Sequence, residues 1–385
     1  MQHSPSPLLI PTLAAANFAV GVGSFITIGV LTPLSADLNM TAAEAGFVMT
    51  VYAIAYAIGS PLMVAATGSW ARRSVLCGGL LLMGLSSVIS ALAETPDILF
   101  ISRAIAALGG GVITPVVAGV AAANSPPEKR GSAMAMTFFG LSFAQVLGMP
   151  ACAWIGYTFG WQISFWVATG LALAAALLVF TVIPAKTAFQ VNSLNTLVAA
   201  LGDLKSVFAI LLTSTMMGSM YIVFTYIAPI IEQGMGFGRD GVSLFLMIFG
   251  IGGIIGSLIG GKMVDRFGPV RCVALIIATQ IAFQPMFSLL PMPVFAFFSI
   301  GIVGAAFGWA FMVPQQLRLI TVAPERQAVT LALNAAAIYL GASIGSAIGA
   351  VVVETWGMQY LGFAAGFGAF LALCHFLLSE RWLKA

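Results

Sequence analysis

The stretch Gly140–Gly156 reads GLSFAQVLGMPACAWIG, and it decides how the rest of the chain is interpreted. Small residues recur in it at every fourth position, and residues four apart lie on the same face of a helix. The helix therefore carries a shallow groove in which another helix backbone can pack closely, as helices do in lipid. The small residues of this groove are Gly140, Ala144, Gly148, Cys152 and Gly156.

Two later stretches carry a similar spacing of glycines. We call the three stretches the glycine seams; the second contains Gly252, Gly256 and Gly260, and the third contains Gly341, Gly345 and Gly349. Static close packing explains any single seam as well as a sliding surface does. Because three seams occur in one chain, we predict that they form a moving interface. Pro150 removes one backbone donor inside the first seam and predicts a bend near Gly148.

The composition indicates that the chain is embedded in a lipid bilayer. Of its 385 residues, 60% are hydrophobic and 7% are charged, and the mean hydropathy is +1.06. A soluble domain has roughly 25% charged residues. The N-terminus lacks a basic region and Pro11 begins a full-length apolar run, so we expect no cleavable signal peptide. No basic patch occurs outside short loops, and nucleic acid is therefore not expected as a partner.

Apolar runs of about 20 residues are long enough to cross a bilayer, and the chain contains twelve of them, numbered here as spans 1 to 12. We predict an all-α membrane protein with two pseudo-symmetric six-helix bundles, 1–184 and 207–385, joined by a cytoplasmic linker, 185–206. Part of this linker has helical spacing of leucines and is predicted to lie along the membrane surface. The predicted spans are 10–33, 44–65, 75–93, 98–122, 133–156, 162–183, 207–230, 242–261, 271–290, 293–316, 328–352 and 358–379.

The distribution of lysine and arginine predicts the orientation, because basic residues concentrate in cytoplasmic loops. With the N-terminus inside, 13 of the 15 basic residues fall on the inner side, including Arg318 in the loop after span 10. Only Arg239 falls outside, and Arg103 falls within span 4. Both termini are therefore predicted to be cytoplasmic.

The two halves repeat each other at an offset near 195 residues. Glu44 opens span 2 and Asp240 opens span 8, and both spans lead into basic inner turns, 68–73 and 260–271. In transporters that contain two such parallel repeats, the substrate site lies at the bilayer midplane between them.

Several motifs carry a resemblance to a known family. The run Gly261-Lys-Met-Val-Asp265-Arg266-Phe-Gly268 has a degenerate counterpart in Gly68, Arg72 and Arg73, and Arg103 is followed by Gly109. Together with Gly140–Gly156, these stretches resemble the loop, arginine and fifth-span motifs of the major facilitator superfamily. Within it, the chain is similar to the drug/proton antiporter group, which includes sugar and drug efflux permeases. The resemblance implies the major facilitator fold and a secondary transporter in the bacterial inner membrane.

Two positions depart from that group. Its members often carry a carboxylate before Phe midway along span 1, where this chain has Ser24, and a His before Gly in span 4, where it has Gly110. The resemblance implies a proton antiporter, but both usual proton-handling side chains are missing. Peripheral carboxylates are ionised at neutral pH and make poor proton shuttles.

The resemblance implies that spans 1, 4, 7 and 10 line a central cavity, with spans 2, 5, 8 and 11 beside them. A largely apolar pocket with a few hydrogen-bonding groups suits a small neutral or amphipathic solute; packing is the alternative role for each residue. Gln280 and Gln284 lie on span 9 and are interpreted as packing or lipid-facing. The substrate-binding candidates are Ser24, Thr27, Tyr52, Tyr56, Arg103, Thr114, Gln145, Tyr221, Phe224, Trp309, Asn334 and Tyr339.

Arg103 is the one charge predicted inside the membrane. Such a charge costs at least a few kcal/mol and is usually paired or faces water. It either binds an anionic group or organises the cavity; the alternative is that it caps backbone carbonyls of span 1 near Asn17.

We therefore predict a monomeric secondary transporter that exports a small organic solute by alternating access. No nucleophile motif, metal cluster or phosphate-binding loop is present, so an enzyme, a metal site or a cofactor is not expected. Antiport with protons, uniport or proton-independent exchange, and a transporter-fold receptor without flux all remain open. The residues predicted to act in conformational change are Gly68, Arg72, Arg73, Gly140, Gly148, Pro150, Gly256, Asp265, Arg266 and Gly345.

Overall fold

The computed structural model describes residues 7–126, 129–184 and 201–384, and this part of the chain is helical without strands. Residues 185–200 of the linker, with the predicted surface helix, lie outside the described residues. Within these described ranges, twelve helices are long and apolar enough to cross a membrane, which confirms the twelve predicted spans. Their bounds are Leu9–Gly29, Ala42–Ala66, Arg72–Ala91, Pro96–Ala123, Ser132–Phe159, Trp161–Val182, Leu204–Phe224, Arg239–Phe267, Pro269–Ser288, Val294–Val322, Val329–Thr355 and Met358–Leu383.

Prolines break two spans earlier than predicted. Span 1 ends at Gly29 and is followed by the short helix Leu31–Asp37, and span 7 ends at Phe224 before the short helix Ile227–Met235. Pro33 and Pro229 are each the third residue of the short helix, where the missing N–H of proline is tolerated. The same break therefore occurs once in each half of the chain.

Span 5 is interrupted by a π-helical turn at Ala144–Gly148, which separates the helices Arg130–Phe143 and Met149–Phe159. Pro150 follows directly, at the start of the second helix, where it cannot donate a backbone hydrogen bond into the preceding turn. The interruption thus lies where the bend was predicted. A π-turn inside an α-helix is frequently found at a functional site.

The glycine seams lie inside the bundles. A Cβ atom at Gly140 would overlap the Ala14 carbonyl of span 1, and one at Gly345 would overlap the Gly218 carbonyl of span 7. Both contacts join helices of one bundle.

The other seam positions behave in the same way. A Cβ atom at Gly148 would overlap Val22 of span 1, and one at Gly256 would overlap the Ala306 carbonyl of span 10. In this conformation the seams therefore pack helices within one bundle, and the prediction that they form a moving interface stays a prediction. Small residues are needed because these helix pairs within a bundle approach backbone to backbone.

The contacts between the bundles gather at one end of the molecule. We call it the closed end, where spans 2 and 8 begin at Ala42 and Arg239, and we call the opposite end the basic end, where they finish at Ala66 and Phe267. Across the two bundles, span 2 packs on span 11, and span 8 packs mainly on the second half of span 5 and on its π-turn. A Cβ atom at Gly250 would lie 2.7 Å from the Gln145 carbonyl oxygen.

Three hydrogen bonds join the two bundles among the residues that the structure describes, and all lie in the half of the molecule next to the closed end. Ser346 Oγ donates to the Gly46 carbonyl over 2.9 Å, and Ser243 Oγ donates to the Pro150 carbonyl over 2.8 Å. Arg239 Nη1 donates to Thr158 Oγ1 over 3.0 Å. Tyr226 Oη donates to the Ser346 carbonyl over 3.0 Å, and its ring fills the space beside Gly46. The closed end is therefore held by a small number of polar contacts between close-packed helices.

Candidate functional site

Three tyrosines meet where the two bundles touch at mid-depth, and we call them the tyrosine cluster: Tyr52 and Tyr56 of span 2, and Tyr339 of span 11. Tyr52 and Tyr56 are four residues apart and therefore lie on the same helix face. The Tyr56 and Tyr339 rings stack across the two bundles with centroids 3.6 Å apart and planes 20° apart. The Tyr52 centroid lies 6.1 Å from that of Tyr56 and 6.4 Å from that of Tyr339.

The Tyr52 hydroxyl is bound from span 1. Ser24 Oγ lies 2.6 Å from Tyr52 Oη and 2.7 Å from the Val20 carbonyl oxygen. Because the Ser24 hydroxyl donates to Val20, the Tyr52 hydroxyl donates to Ser24. A Cβ atom at Gly110 would lie 3.1 Å from Tyr52 Oη. The two positions that depart from the antiporter group, Ser24 and Gly110, therefore both border this hydroxyl.

Arg103 lies on the other side of the Tyr52 ring. Its side chain is fully buried, its Cζ is 4.5 Å from the Tyr52 ring centroid, and its Nη2 donates to the Gly23 carbonyl over 2.7 Å. The Ser24 carbonyl oxygen is farther away, at 3.4 Å. Arg103 thus does cap span 1, but two turns beyond the predicted position near Asn17.

Two nitrogens of this guanidinium are left without a partner. Among the residues that the structure describes, Nε and Nη1 of Arg103 make no hydrogen bond, and neither of the two ion pairs found there includes Arg103. A second aromatic ring, Phe165, lies 5.7 Å from Cζ. The charge is therefore enclosed by rings and backbone, with no counter-ion among the described residues.

Thr114 serves a network inside the N-terminal bundle. Its hydroxyl donates to Asn17 Oδ1 over 3.0 Å, and Asn17 Nδ2 donates to the Thr137 carbonyl over 3.0 Å. The buried amide of Asn17 thus joins spans 1, 4 and 5.

A longer polar chain crosses the C-terminal bundle. Thr213 Oγ1 donates to Asn334 Oδ1 over 2.5 Å, and Gln315 Nε2 lies 3.2 Å from Thr213 Oγ1. Arg318 Nη1 donates to Gln315 Oε1 over 3.4 Å, and Arg318 Nε pairs with Glu380 Oε1 of span 12 at 2.6 Å. Asn334 is therefore connected to a buried ion pair through two intervening side chains.

The polar chain from Asn334 to Glu380 corrects two predictions about charge. Arg318 was placed in a loop, but the helix Met312–Val322 continues span 10, and the Arg318 side chain is 1% exposed. Arg103 is consequently not the one charge within the described spans. The end of span 10 is predicted at residue 316 because Gln315, Gln316 and Arg318 lower the local hydropathy, whereas in the structure Glu380 compensates the charge of Arg318 inside the bundle.

The other substrate-binding candidates do not all join the tyrosine cluster. Tyr221 is buried in span 7, and its ring packs edge-on against Phe224 with centroids 5.6 Å apart. Phe224 also stacks on Phe249 of span 8, with centroids 4.6 Å apart, and Trp309 packs beside Gly253. Both side chains therefore fill the C-terminal bundle.

Thr27 and Gln145 occupy separate places. The Thr27 hydroxyl is buried in span 1 and has no hydrogen-bond partner in the described part of the chain. Gln145 lies in the π-turn, whose backbone contacts Gly250. The residues that form one group are thus Ser24, Tyr52, Tyr56, Arg103 and Tyr339.

Span 9 presents two glutamines to the protein interior. Gln280 is 1% exposed and its Nε2 donates to the Gly304 carbonyl over 3.0 Å, while Gln284 Nε2 donates to Gln280 Oε1 over 3.0 Å. They hold spans 9 and 10 together, so the packing interpretation is correct and the lipid-facing one is wrong.

The loop-motif residues lie at the basic end. Asp265 and Arg266 are exposed, and Asp265 has no ion-pair partner within 4.0 Å in the part of the chain that is described. In the first half, Arg72 is buried and donates to the carbonyls of Thr67 and Gly68, whereas Arg73 lies over the Phe180 ring at 4.8 Å. Arg72 therefore closes its own turn, with Gly68 supplying a carbonyl acceptor.

Two pseudo-symmetric bundles with polar residues buried at their contact define the chain as a membrane transporter. The chain belongs to the Major Facilitator Superfamily, whose family model matches residues 13–330. It is 30% identical to the "Inner membrane transport protein YdhP" of Escherichia coli (strain K12), over 97% of this chain and 96% of that protein. It is 27% identical to the "Uncharacterized MFS-type transporter YtbD" of Bacillus subtilis (strain 168), over 92% and 90% of the two chains.

Solved structures confirm the fold. A bacterial homologue of the human lysosomal transporter Spinster, in an inward-facing and unoccupied conformation, superposes with a TM-score of 0.77 at 13% identity, covering 98% of each chain. The D-xylose–proton symporter superposes with a TM-score of 0.76 at 18% identity, covering 95% of this chain and 96% of that one. The protein is therefore a multi-pass membrane transporter of a small solute, and it is not an enzyme.

Proposed function

We propose that this protein is a secondary transporter that exports a small organic solute across the bacterial inner membrane by alternating access. The observation that carries the proposal is the asymmetry of the contact between the bundles. Three hydrogen bonds and the Tyr56–Tyr339 stack join the bundles from mid-depth to the closed end. Breaking these few contacts and forming others at the basic end would switch access from one side to the other.

The charge distribution supports the orientation. Arg72, Lys205 and Arg271 lie at the basic end, which the positive-inside rule assigns to the cytoplasm together with both termini. On this assignment, the conformation described here faces inward. The twelve helices need no partner chain to form the contact between the bundles, so we propose a monomer.

The polar groups of the site support solute transport that is not coupled to protons through the usual proton-carrying side chains. The midplane hydroxyls are those of Ser24 and the tyrosine cluster, and Arg103 has no carboxylate partner among the described residues. Asp37, the acid nearest to span 1, accepts hydrogen bonds from Trp161 and Gln162, both over 2.8 Å, at the closed end. It is held there as a structural acceptor.

We expect solute flux to survive collapse of the pH gradient. A growth-protection panel in cells lacking or overproducing the protein identifies a substrate, which is then loaded into liposomes that contain the purified protein. Counterflow at equal pH on both sides should proceed, and Ser24→Ala should change the apparent substrate affinity more than the pH dependence. Strong accumulation driven by a pH gradient, lost in Asp37→Asn, would instead establish ordinary proton antiport. The absence of any flux would favour a receptor with a transporter fold.

The loop motif gives a second expectation. When the basic end closes, Asp265 is expected to engage a neighbouring helix N-terminus or an arginine of the turn. Asp265→Asn should therefore enrich the conformation described here. A cysteine in the basic-end half of the cavity should react faster with a soluble maleimide in Asp265→Asn than in the parent protein. An unchanged reaction rate would contradict the role assigned to Asp265.

A further inference from the structure

Two buried arginines inside the spans are neutralised in different ways. Arg318 pairs with Glu380 at 2.6 Å and also donates to Gln315 and Ser379. Arg103 has one good acceptor, the Gly23 carbonyl, and its Nε and Nη1 have no partner among the described residues. Within the described residues, an arginine side chain is thus paired with a carboxylate in one bundle and has no counter-ion in the other.

An uncompensated buried charge is strongly unfavourable in a protein interior, and more so at the depth of a bilayer. The cation–π contact with Tyr52 offsets only part of that cost. Buried donors without acceptors are rare in native proteins, and where they occur they require an explanation such as a missing ligand. Arg103 lies behind the tyrosine cluster, where the two bundles meet, so a solute bound between the bundles can reach it.

We propose that Arg103 is the counter-charge for the transported solute, and that this solute is an aromatic or otherwise apolar organic anion. The inference rests on the proposed transport function and deepens it by naming the charge of the substrate. Nε and Nη1 of Arg103 would donate to the anionic group. The rings of Tyr56 and Tyr339 would contact the apolar body.

In the conformation described here, the Tyr52 ring covers the guanidinium. It lies 4.5 Å from Arg103 Cζ on one side and about 6 Å from the other two rings of the cluster, and it is fully buried. An anion that enters from the contact between the bundles must displace this ring, together with its hydrogen bond to Ser24. Occupancy of Arg103 is therefore coupled to movement of span 2, which also carries Gly46 and Tyr56 of the contact between bundles.

The charge of the substrate also determines what drives its export. Arg103 remains in the protein, so each cycle that releases one monovalent anion moves one negative charge across the membrane. The cell interior is electrically negative, and the membrane potential therefore drives an anion outward. For a single charge, every tenfold concentration ratio corresponds to about 59 mV. Export of an anion then needs no proton, in agreement with Ser24 and Gly110 at the positions where the antiporter group carries proton-handling residues.

The charge preference is tested by binding of three probes of similar size: benzenesulfonate, neutral benzenesulfonamide and cationic benzyltrimethylammonium. The readout is the thermal stability of the full chain in detergent as each probe is titrated. Benzenesulfonate should stabilise the wild type most, and Arg103→Gln should weaken its apparent affinity at least about tenfold, since 1.4 kcal/mol is tenfold and a charged hydrogen bond contributes about that much or more.

Two further variants separate binding from structure. Arg103→Lys keeps the charge and should retain part of the benzenesulfonate effect, whereas a purely structural role would give the same probe response in every folded variant. Arg381→Gln removes an exposed arginine from span 12 and should bind like the wild type. Equal or better binding of the neutral or cationic probe, binding that persists in Arg103→Gln, or no binding of any probe would overturn the proposal.

Flux in liposomes separates this inference from the proposed function. With equal pH on both sides, valinomycin and a tenfold higher K⁺ concentration outside, the lumen becomes positive and benzenesulfonate should accumulate inside up to tenfold. Benzenesulfonate stays ionised, so it cannot carry a proton. Accumulation that ignores the K⁺ gradient would overturn the electrogenic mechanism. Binding of benzenesulfonate through Arg103 without any flux would retain the anion site and overturn the transport function. Counterflow of an uncharged solute without transport of benzenesulfonate would retain the transport function and overturn the anion site.

Discussion

Glu380→Gln is expected to lower the free energy of unfolding by about 3–5 kcal/mol, the largest stability effect predicted here. Arg318 is 1% exposed and Glu380 is 16% exposed, so the substitution leaves a buried guanidinium without its counter-ion. The loss should appear as a large fall in the thermal stability of the protein in detergent. It should also affect the polar chain through Gln315 and Thr213 to Asn334, because Arg318 anchors one end of it.

An exposed ion pair in the same protein provides the control. Arg239 and Asp240 pair at 2.8 Å, but their side chains are 38% and 76% exposed. Asp240→Asn should therefore leave the thermal stability almost unchanged, because exposed ion pairs contribute little. Replacing both buried partners, as Arg318→Met with Glu380→Met, should cost less than Glu380→Gln alone because no charge is left unpaired. Equal effects of Glu380→Gln and Asp240→Asn would show that burial does not strengthen the Arg318–Glu380 pair.

Gly46→Ala is expected to open the closed end. A Cβ atom at Gly46 would overlap the Tyr226 ring, and the Gly46 carbonyl accepts the hydrogen bond from Ser346. Overpacking of this kind costs about 1–3 kcal/mol, which shifts a two-state equilibrium about 5- to 150-fold. The contact joins the two bundles, so the cost falls on the conformation in which this end is closed.

The opening is measured at an independent contact between spans 5 and 8. In a background without the native cysteines, Ser243→Cys replaces the side chain that donates to the Pro150 carbonyl. Its reaction with an impermeant maleimide should become at least about fivefold faster with Gly46→Ala. Gly170→Ala is the matched control, because it makes the same change in a helix where a Cβ atom meets nothing within 4 Å.

A variant of a third glycine distinguishes movement between the bundles from packing within one bundle. A Cβ atom at Gly256 would overlap the Ala306 carbonyl inside the C-terminal bundle. Gly256→Ala should therefore reduce the stability of the protein without raising the maleimide reaction rate of Ser243→Cys. If Gly256→Ala opened the closed end as Gly46→Ala does, the result would support the prediction that the seams form a moving interface.

The sequence determined the membrane environment, the twelve spans and the repeat, because these depend on local composition. A bilayer core requires about 20 apolar residues per helix wherever the chain lies, and each span satisfies this by itself. The interruption of span 5 could also be predicted from the sequence, since the missing N–H of Pro150 acts within one turn of its own helix. A candidate list that contained Ser24, Tyr52, Tyr56, Arg103 and Tyr339 followed from polar and aromatic side chains at mid-depth.

Tertiary structure alone decided which of these side chains meet. A small-residue face fits any close helix, and only the packed structure shows that Gly148 faces span 1 while Gly46 faces the other bundle. Phe224 and Trp309, like Tyr339, are aromatic residues at mid-depth in the sequence pattern, but they pack inside their own bundle. Arg318 looked like a loop residue because its partner, Glu380, is 62 residues away. Local hydropathy depends on neighbours in sequence, whereas pairing of charges and packing of rings depend on neighbours in space, which the chain brings together only on folding.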